Sequence, residues 1–151
     1  MIVFTVYGKQ EPAGSKSAYV RGGHANVVDA NKKAKPWKKL VRDTAELAMR
    51  GRLLYRGPLE VTFKFYRALN KGDVLADGVS LSASRRHDWY PATKPDLLKL
   101  ARAIEDAMTG IIYLDDAQIV DEHLRKRFVT PGDMGGAERE RVVVTVREIV
   151  H

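Results

Sequence analysis

The chain has 151 residues, of which 44% are hydrophobic and 30% are charged, the composition of a single globular domain. It contains no cysteine, which excludes disulfide frameworks, thiolate zinc sites and cysteine nucleophiles. Its 26 lysine and arginine residues outnumber its 19 aspartate and glutamate residues, and the net charge of +7 favours a polyanionic partner, either nucleic acid or an acidic membrane surface.

The first thirty residues predict a strand, a loop and a hairpin. Residues 2–7 are mostly β-branched or aromatic and predict a strand, whereas residues 8–17 contain glycine and proline and predict a loop. Residues 18–29 predict a short hairpin, because Gly22 and Gly23 supply the positive φ that a tight turn needs.

The next segment predicts an amphipathic helix that ends at Gly51. Asn31 is a candidate cap, and Pro36 suits the first turn. Helical spacing places five residues on the expected buried face: Trp37, Leu40, Val41, Thr44 and Ala48.

The middle of the chain predicts one strand followed by an irregular insertion. The strand begins after Pro58, where Val61, Phe63 and Phe65 alternate with polar residues. Residues 68–88 lack sustained periodicity, are rich in Gly, Ser and Asp, and predict a flexible insertion.

The last third predicts a second helix over residues 95–109, ended by Gly110. Apolar and β-branched runs predict three further strands at 111–114, 119–129 and 141–150, and residues 130–138 predict a turn-rich loop. Because strands and helices interleave without a boundary, residues 1–151 predict one small α/β or α+β domain with a mixed sheet and two main helices.

The second helix has a clear apolar face and an aspartate at its start. Its apolar positions are Leu97, Leu100, Ala101, Ile104, Ala107 and Met108. Asp96 lies at the first turn, near the edge of that face, where the helix dipole favours a carboxylate. A capping role is therefore one interpretation of Asp96.

Two adjacent carboxylates, Asp115 and Asp116, directly follow the predicted strand at 111–114. They repel each other unless a cation compensates, and a turn-forming role is one interpretation. The other is that they meet Asp96 in space and form an oxygen-ligand site for Mg²⁺ or Mn²⁺. In a basic protein such a site fits phosphodiester hydrolysis.

The two motifs, KPD at 94–96 continuing as DAMTG to Gly110 and DDAQIV at 115–120, resemble the signature of the RusA-like Holliday junction resolvases. The opening loop GKQEPAGSK is similar to the Gly/Pro/Lys-rich loop of that family. The resemblance implies a small homodimeric nuclease of phage or prophage type that resolves four-way DNA junctions. It also implies Mg²⁺ or Mn²⁺ as the cofactor.

Carried over by position, the resemblance implies catalytic and metal-binding roles for Asp96 and Asp116, with Asp115 beside them. Arg102 falls where the family has a catalytic lysine, and it keeps the charge with a different shape. Asp106 matches a helix aspartate that we interpret either as structural or as a residue that supports the metal ligands from behind.

Leu98 occupies the position where the family has a second helix carboxylate. The helical wheel places it beside Arg102 and away from the apolar face, where a core leucine is not expected. Three explanations remain open: a different third ligand (Asp106, Glu105 or a residue of a partner chain), a weakened nuclease that still binds branched DNA, or an introduced change that disables cleavage.

The basic residues that we expect to contact DNA phosphates lie in several clusters. They are Lys16, Lys32, Lys33, Lys35, Lys38, Lys39, Arg85, Arg86, Lys94, Lys99, Arg125 and Arg127. No apolar run approaches the roughly 18 residues of a membrane span, and no basic segment precedes the apolar N-terminus. We therefore expect branched DNA as partner, no membrane association and a cytoplasmic location.

Overall fold

The computed structural model describes residues 1–14, 16–29, 31–77, 80–82, 90–130 and 139–151. For residues 16–19, 21 and 25–29 it describes the backbone alone. Within these ranges the strands are β1 (Ile2–Tyr7), β2 (Lys16–Arg21), β3 (His24–Asp29), β4 (Leu59–Arg67), β5 (Ile119–Phe128) and β6 (Arg141–Glu148). The helices are α1 (Ala34–Met49) and α2 (Leu97–Met108), and no described helix is long and apolar enough to cross a membrane.

A mixed sheet of four strands in the order β1-β6-β4-β5 forms the centre of the fold. β6 is antiparallel to both β1 and β4, whereas β4 and β5 are parallel. The parallel pair requires a crossover, and the chain between these strands carries α2. The architecture is therefore a small α+β fold with a mixed sheet and two main helices, as the sequence predicts.

The two helices cover one face of the sheet and enclose a single core. On β4 the odd-numbered residues Leu59, Val61, Phe63 and Phe65 are buried, so the even-numbered residues lie on the opposite, outer face. The buried face of α2 contains the predicted apolar residues, with Leu97 half-buried at its edge. This agreement follows from the 3.6-residue period of the helix.

Two sequence predictions about the core are wrong. On α1, Trp37 and Val41 are buried as predicted and Thr44 and Ala48 are half-buried, but Leu40 is exposed. The other buried residues of this helix are Ala34, Ala45 and Met49. Residues 111–114 form a turn held by isolated bridges to Tyr113, and not a strand, although Ile111, Ile112 and Tyr113 are buried. An apolar run of four residues predicts burial and does not distinguish a strand from a buried turn.

The predicted hairpin forms as β2 and β3, with Arg21 paired to His24 and positive φ at Gly22 and Gly23. The described part of the 68–88 insertion contains a 3₁₀ turn at Lys71–Asp73 and a bridge between Val74 and Leu81. The predicted flexibility of this insertion stays a prediction.

Candidate functional site

Asp96 occupies the N-cap position of α2 and keeps an exposed carboxylate. Its backbone is extended and its side chain makes no capping hydrogen bond, so the capping interpretation is not supported. It lines a cavity of about 420 Å³ together with four cationic side chains: Lys9, Arg67, Lys94 and Lys99. A carboxylate beside this much positive charge suits a site that handles phosphate groups.

Arg67 and Lys126 fix the walls of this cavity. The Arg67 guanidinium donates to the backbone oxygen (2.8 Å) and the side-chain Oε1 (3.0 Å) of Gln10 in the opening loop. Lys126 Nζ donates to the backbone oxygens of Thr93 and Pro95, both at 2.8 Å, immediately before Asp96. Burial and the nearby Arg67 lower the pKa of Lys126, and Asp96 opposes that effect.

The DDAQ segment is a tight turn organised by its first and last residues. Asp115 Oδ1 accepts from the backbone N–H of Ala117 at 2.8 Å, so the turn-forming interpretation of Asp115 is confirmed. Gln118 Oε1 accepts from the N–H groups of Leu114 and Asp115, and its Nε2 donates to the oxygens of Tyr55 and Gly57. These bonds leave Asp116 exposed at the start of β5.

Asp116 belongs to a group of five carboxylates at the C-terminal end of α2, which we call the acidic cluster. Its members are Glu105, Asp106, Asp115, Asp116 and Glu122. Burial raises the pKa of Glu105 to about 8, aided by a hydrogen bond to and repulsion from Glu122 and by the charges of Asp116 and Asp106. Burial and Asp115 likewise raise the pKa of Asp116.

Burial is the largest cause of both raised pKa values, and the nearby carboxylates add to it. Asp106 forms an ion pair with Lys38 at 3.2 Å, whereas Glu105 and Glu122 contact each other through a hydrogen bond between their carboxyl groups. Carboxylate oxygens are the ligands that a hard divalent cation such as Mg²⁺ or Mn²⁺ prefers, so the cluster suits such an ion by ligand type. Within the described residues, no three ligand atoms of the cluster lie within 4.8 Å of one another. Sequence reasoning named Glu105 only as an alternative ligand and missed Glu122, because their contact depends on how α2 lies against β5.

The structure does not bring Asp96 and Asp116 together within one chain. Ten residues separate Asp96 from Asp106, so the two ends of α2 lie about 15 Å apart along its axis. β5 gives a second measure, since Lys126 reaches Pro95 at one end and Ile119 lies about 23 Å away along the strand. One ion cannot bind both carboxylates of the same protomer, because its ligands lie within a few ångströms of one another.

One group of three potential metal ligands within 4.8 Å of one another does occur in the described residues, but elsewhere. Glu60, Asp121 and His123 lie on the outer face of the sheet, opposite the helices. Glu60 is held by Arg147 at 2.6 Å, and His123 lies 3.4 Å from Asp121. We nevertheless assign the candidate site to the helix face, because the residues of the two sequence motifs lie there and Glu60 is already paired with Arg147.

Leu98 is 69% exposed and lies one turn before the exposed Arg102, which confirms that it is not a core residue. The position at which the resemblance implies a second helix carboxylate is therefore open to solvent, two residues after Asp96. An aspartate in place of Leu98 would fit without steric conflict, because so exposed a side chain has room on the solvent side.

The predicted DNA-contacting residues fall on several surfaces. Lys32, Lys35, Lys38 and Lys39 line one concave surface at the start of α1, and Lys33 is exposed beside them. Arg125 and Arg127 are exposed on the outer face of β5. Lys16 lies in β2, where only the backbone is described, and Arg85 and Arg86 lie outside the described residues.

Comparison with known proteins decides the family. Residues 9–147 match the family model described as endodeoxyribonuclease RusA. The chain belongs to the RusA endodeoxyribonuclease family. It is also 30% identical over 153 residues to YqaN of Bacillus subtilis (strain 168), which is named as an uncharacterized protein, in an alignment covering 98% of this chain and 96% of the relative. The resemblance seen in the two motifs therefore extends over nearly the whole length of this chain.

Proposed function

We propose that this RusA-family chain is a metal-dependent endonuclease that nicks four-way DNA junctions symmetrically as a homodimer. The observation that carries the proposal is the acidic cluster, in which Glu105 is hydrogen-bonded to Glu122 and lies near Asp116. Family membership supports the nuclease activity, and the basic surfaces supply the phosphate contacts that most of the affinity for DNA requires.

The homodimer gives the separated carboxylates a way to act together. If the α2 helices of two protomers lie antiparallel across a two-fold axis, Asp96 of one protomer lies level with the acidic cluster of the other. We therefore propose a composite site, in which Asp96 and the partner subunit's Asp116 face the same scissile phosphate. Two such sites per dimer match the two strands that a symmetric resolution must cut.

In this mechanism the residues of the chain position DNA and compensate charge. A bound Mg²⁺ or Mn²⁺ would activate the attacking water and stabilise the leaving oxygen. Glu105, Glu122 and Asp116 would hold the ion, and Glu105 would lose its proton when it binds. Arg67, Lys94 and Lys99 would hold the phosphates that flank the cut, and Arg102 would stand beside them.

The direct test incubates the protein with a synthetic four-way junction and with a linear duplex of the same sequence, with Mg²⁺, with Mn²⁺ and with EDTA. We expect metal-dependent nicking of the junction in preference to the duplex. Asp96→Asn and Asp116→Asn should each abolish nicking, while Asp43→Asn, an exposed aspartate of α1, should not. Equal cleavage of the duplex, or cleavage in EDTA, would contradict the proposal.

Mixing Asp96→Asn with Asp116→Asn tests the composite site. A heterodimer of these variants has one site with both native aspartates, so a 1:1 mixture should regain about a quarter of the parental sites. If both aspartates act within one chain, no intact site can form and the mixture stays inactive.

A second candidate function is branched-DNA binding without efficient cleavage, and the observation that favours it is Leu98. The same assay separates the two candidates. Tight junction binding without nicking, and a gain of nicking in Leu98→Asp, would establish the weakened enzyme.

A further inference from the structure

The sheet ends on one side in β5, whose outer edge carries no described strand. Such an edge presents a row of backbone N–H and C=O groups that can pair with another strand. In its first half, Val120, Asp121, Glu122 and His123 are all exposed, so both faces of the strand are accessible there. β1 forms the opposite edge of the same sheet.

The charges along β5 are separated by sign. Asp121 and Glu122 lie in the first half, and Arg125, Lys126 and Arg127 lie in the second half. Scattered charges on an edge strand discourage pairing with other chains. A strand that is acidic at one end and basic at the other is complementary to a second copy of itself in the antiparallel direction.

We propose that the outer edge of β5 is the surface on which two copies of this chain associate, pairing β5 with β5 in the antiparallel direction about Leu124. Centring the two-fold axis on Leu124 places Asp121 opposite Arg127 of the partner subunit. The same register places Glu122 opposite Lys126 of the partner subunit. Because the interface is symmetric, each pair occurs twice.

The neighbouring registers are less complementary. Centring the pairing on His123 keeps an opposite-charge pair between Asp121 and Arg125 but sets Glu122 against an apolar leucine. Centring it on Arg125 places two guanidinium groups directly opposite each other, which is destabilising. The sequence of charges thus selects Leu124 as the centre, where two leucines meet.

The faces of β5 agree with this pairing. Asp121 and Arg127 both lie on the outer face, since Asp121 contacts His123 and Arg127 lies over the Tyr66 ring at 5.2 Å. Glu122 and Lys126 both lie on the helix face, where they contact Glu105 and the Pro95 carbonyl. Directly opposite residues of an antiparallel pair share a face, so both ion pairs can form.

The inference rests on the proposed homodimer and names its surface. Sedimentation velocity of the full chain in EDTA, without DNA, measures association independently of cleavage. We expect a concentration-dependent dimer for the parent. Asp121→Arg and Arg127→Asp should each raise the dimer dissociation constant at least tenfold. Lys64→Glu, which makes the same charge change as Arg127→Asp on the outer face of β4, should leave it within twofold. Thermal melts check that each variant is folded.

Exchanging the charges at positions 121 and 127 between the two chains provides the decisive experiment. A 1:1 mixture of Asp121→Arg and Arg127→Asp should associate again, because one chain then carries only cations and the other only carboxylates at these positions. The double variant Asp121→Arg/Arg127→Asp should regain the homodimer. A monomeric parent, failure of the mixture to associate, or loss of DNA binding in Arg127→Asp without loss of association would each overturn the proposal.

A cross-link tests the register. The chain has no cysteine, so Leu124→Cys introduces one thiol that should meet its symmetry mate and form a disulfide-linked dimer on oxidation. Val3→Cys, on the opposite edge strand β1, should not. If the cross-linked dimer forms but the protein does not cleave junctions, the proposed nuclease function is contradicted and the proposed β5 interface is still supported. The two proposals can therefore fail separately.

Discussion

Replacing Glu105 by glutamine should stabilise the protein at neutral and alkaline pH. The ordinary pKa of 4.5 is raised to about 8 in the folded chain, by burial first and then by Glu122 and the other carboxylates. The folded state therefore holds the Glu105 proton more tightly than the unfolded chain does. The contribution of protonated Glu105 to the free energy of unfolding is fully present below pH 4.5. It falls as the pH rises towards about 8 and is lost above that pH.

The size of the effect follows from the span between these two pKa values. At about 1.36 kcal/mol per pH unit, the span sets an upper bound of roughly 5 kcal/mol. Glu105 is only half-buried and interacts directly with Glu122, so solvent screening and this coupling reduce the expected gain to about 1–2 kcal/mol. For a chain of this length that corresponds to a rise in Tm of about 3–6 °C at pH 8.

Thermal unfolding between pH 4 and 9 checks this prediction. The gain in Tm of Glu105→Gln over the parent should be near zero at pH 4.5 and grow up to pH 8. Glu46→Gln, which changes an exposed glutamate of α1, should follow the parent at every pH. Mg²⁺ should raise the Tm of the parent more at pH 8 than at pH 6, and should raise that of Glu105→Gln less. A pH-independent difference between Glu105→Gln and the parent would refute the reasoning.

Three further predictions concern the DDAQ turn, the first turn of α2 and the binding of DNA. Gln118→Ala removes four hydrogen bonds that hold the DDAQ turn and should cost about 2 kcal/mol by urea unfolding; a loss below about 0.5 kcal/mol would show that water replaces them. Leu98→Asp should change Tm by less than about 2 °C, because the side chain is exposed, and unfolding of this variant would contradict the placement. Asp116→Asn should bind a junction in EDTA at least as tightly as the parent, and binding of both should weaken steeply with salt in a filter or mobility-shift titration. A salt-independent affinity would mean that lysine and arginine do not form the contact.

Local periodicity was enough to predict most of the fold from the sequence. The alternation in β4 and the 3.6-residue spacing in α2 identify the buried faces, because burial of apolar side chains is the dominant force in folding. The glycine pair at the hairpin turn and the extended N-cap at Asp96 are equally local, since each depends on a few dihedral angles. The turn at DDAQ is local too, because its bonds run chiefly between neighbours in the chain.

The arrangement of the site is not local, and the tertiary structure decided it. The sequence shows Asp96 and Asp116 as parts of one signature, but the length of α2 separates them, since Asp96 lies at its start and Asp116 lies near the carboxylates at its end. The proximity of Glu105 and Glu122 depends on the direction in which β5 passes α2, which no pattern within either segment encodes. Residues 111–114 have the composition of a strand, yet the bridges to Tyr113 fold them into a buried turn. Sequence determines which side chains are buried or charged, whereas distances between segments depend on how the whole chain packs.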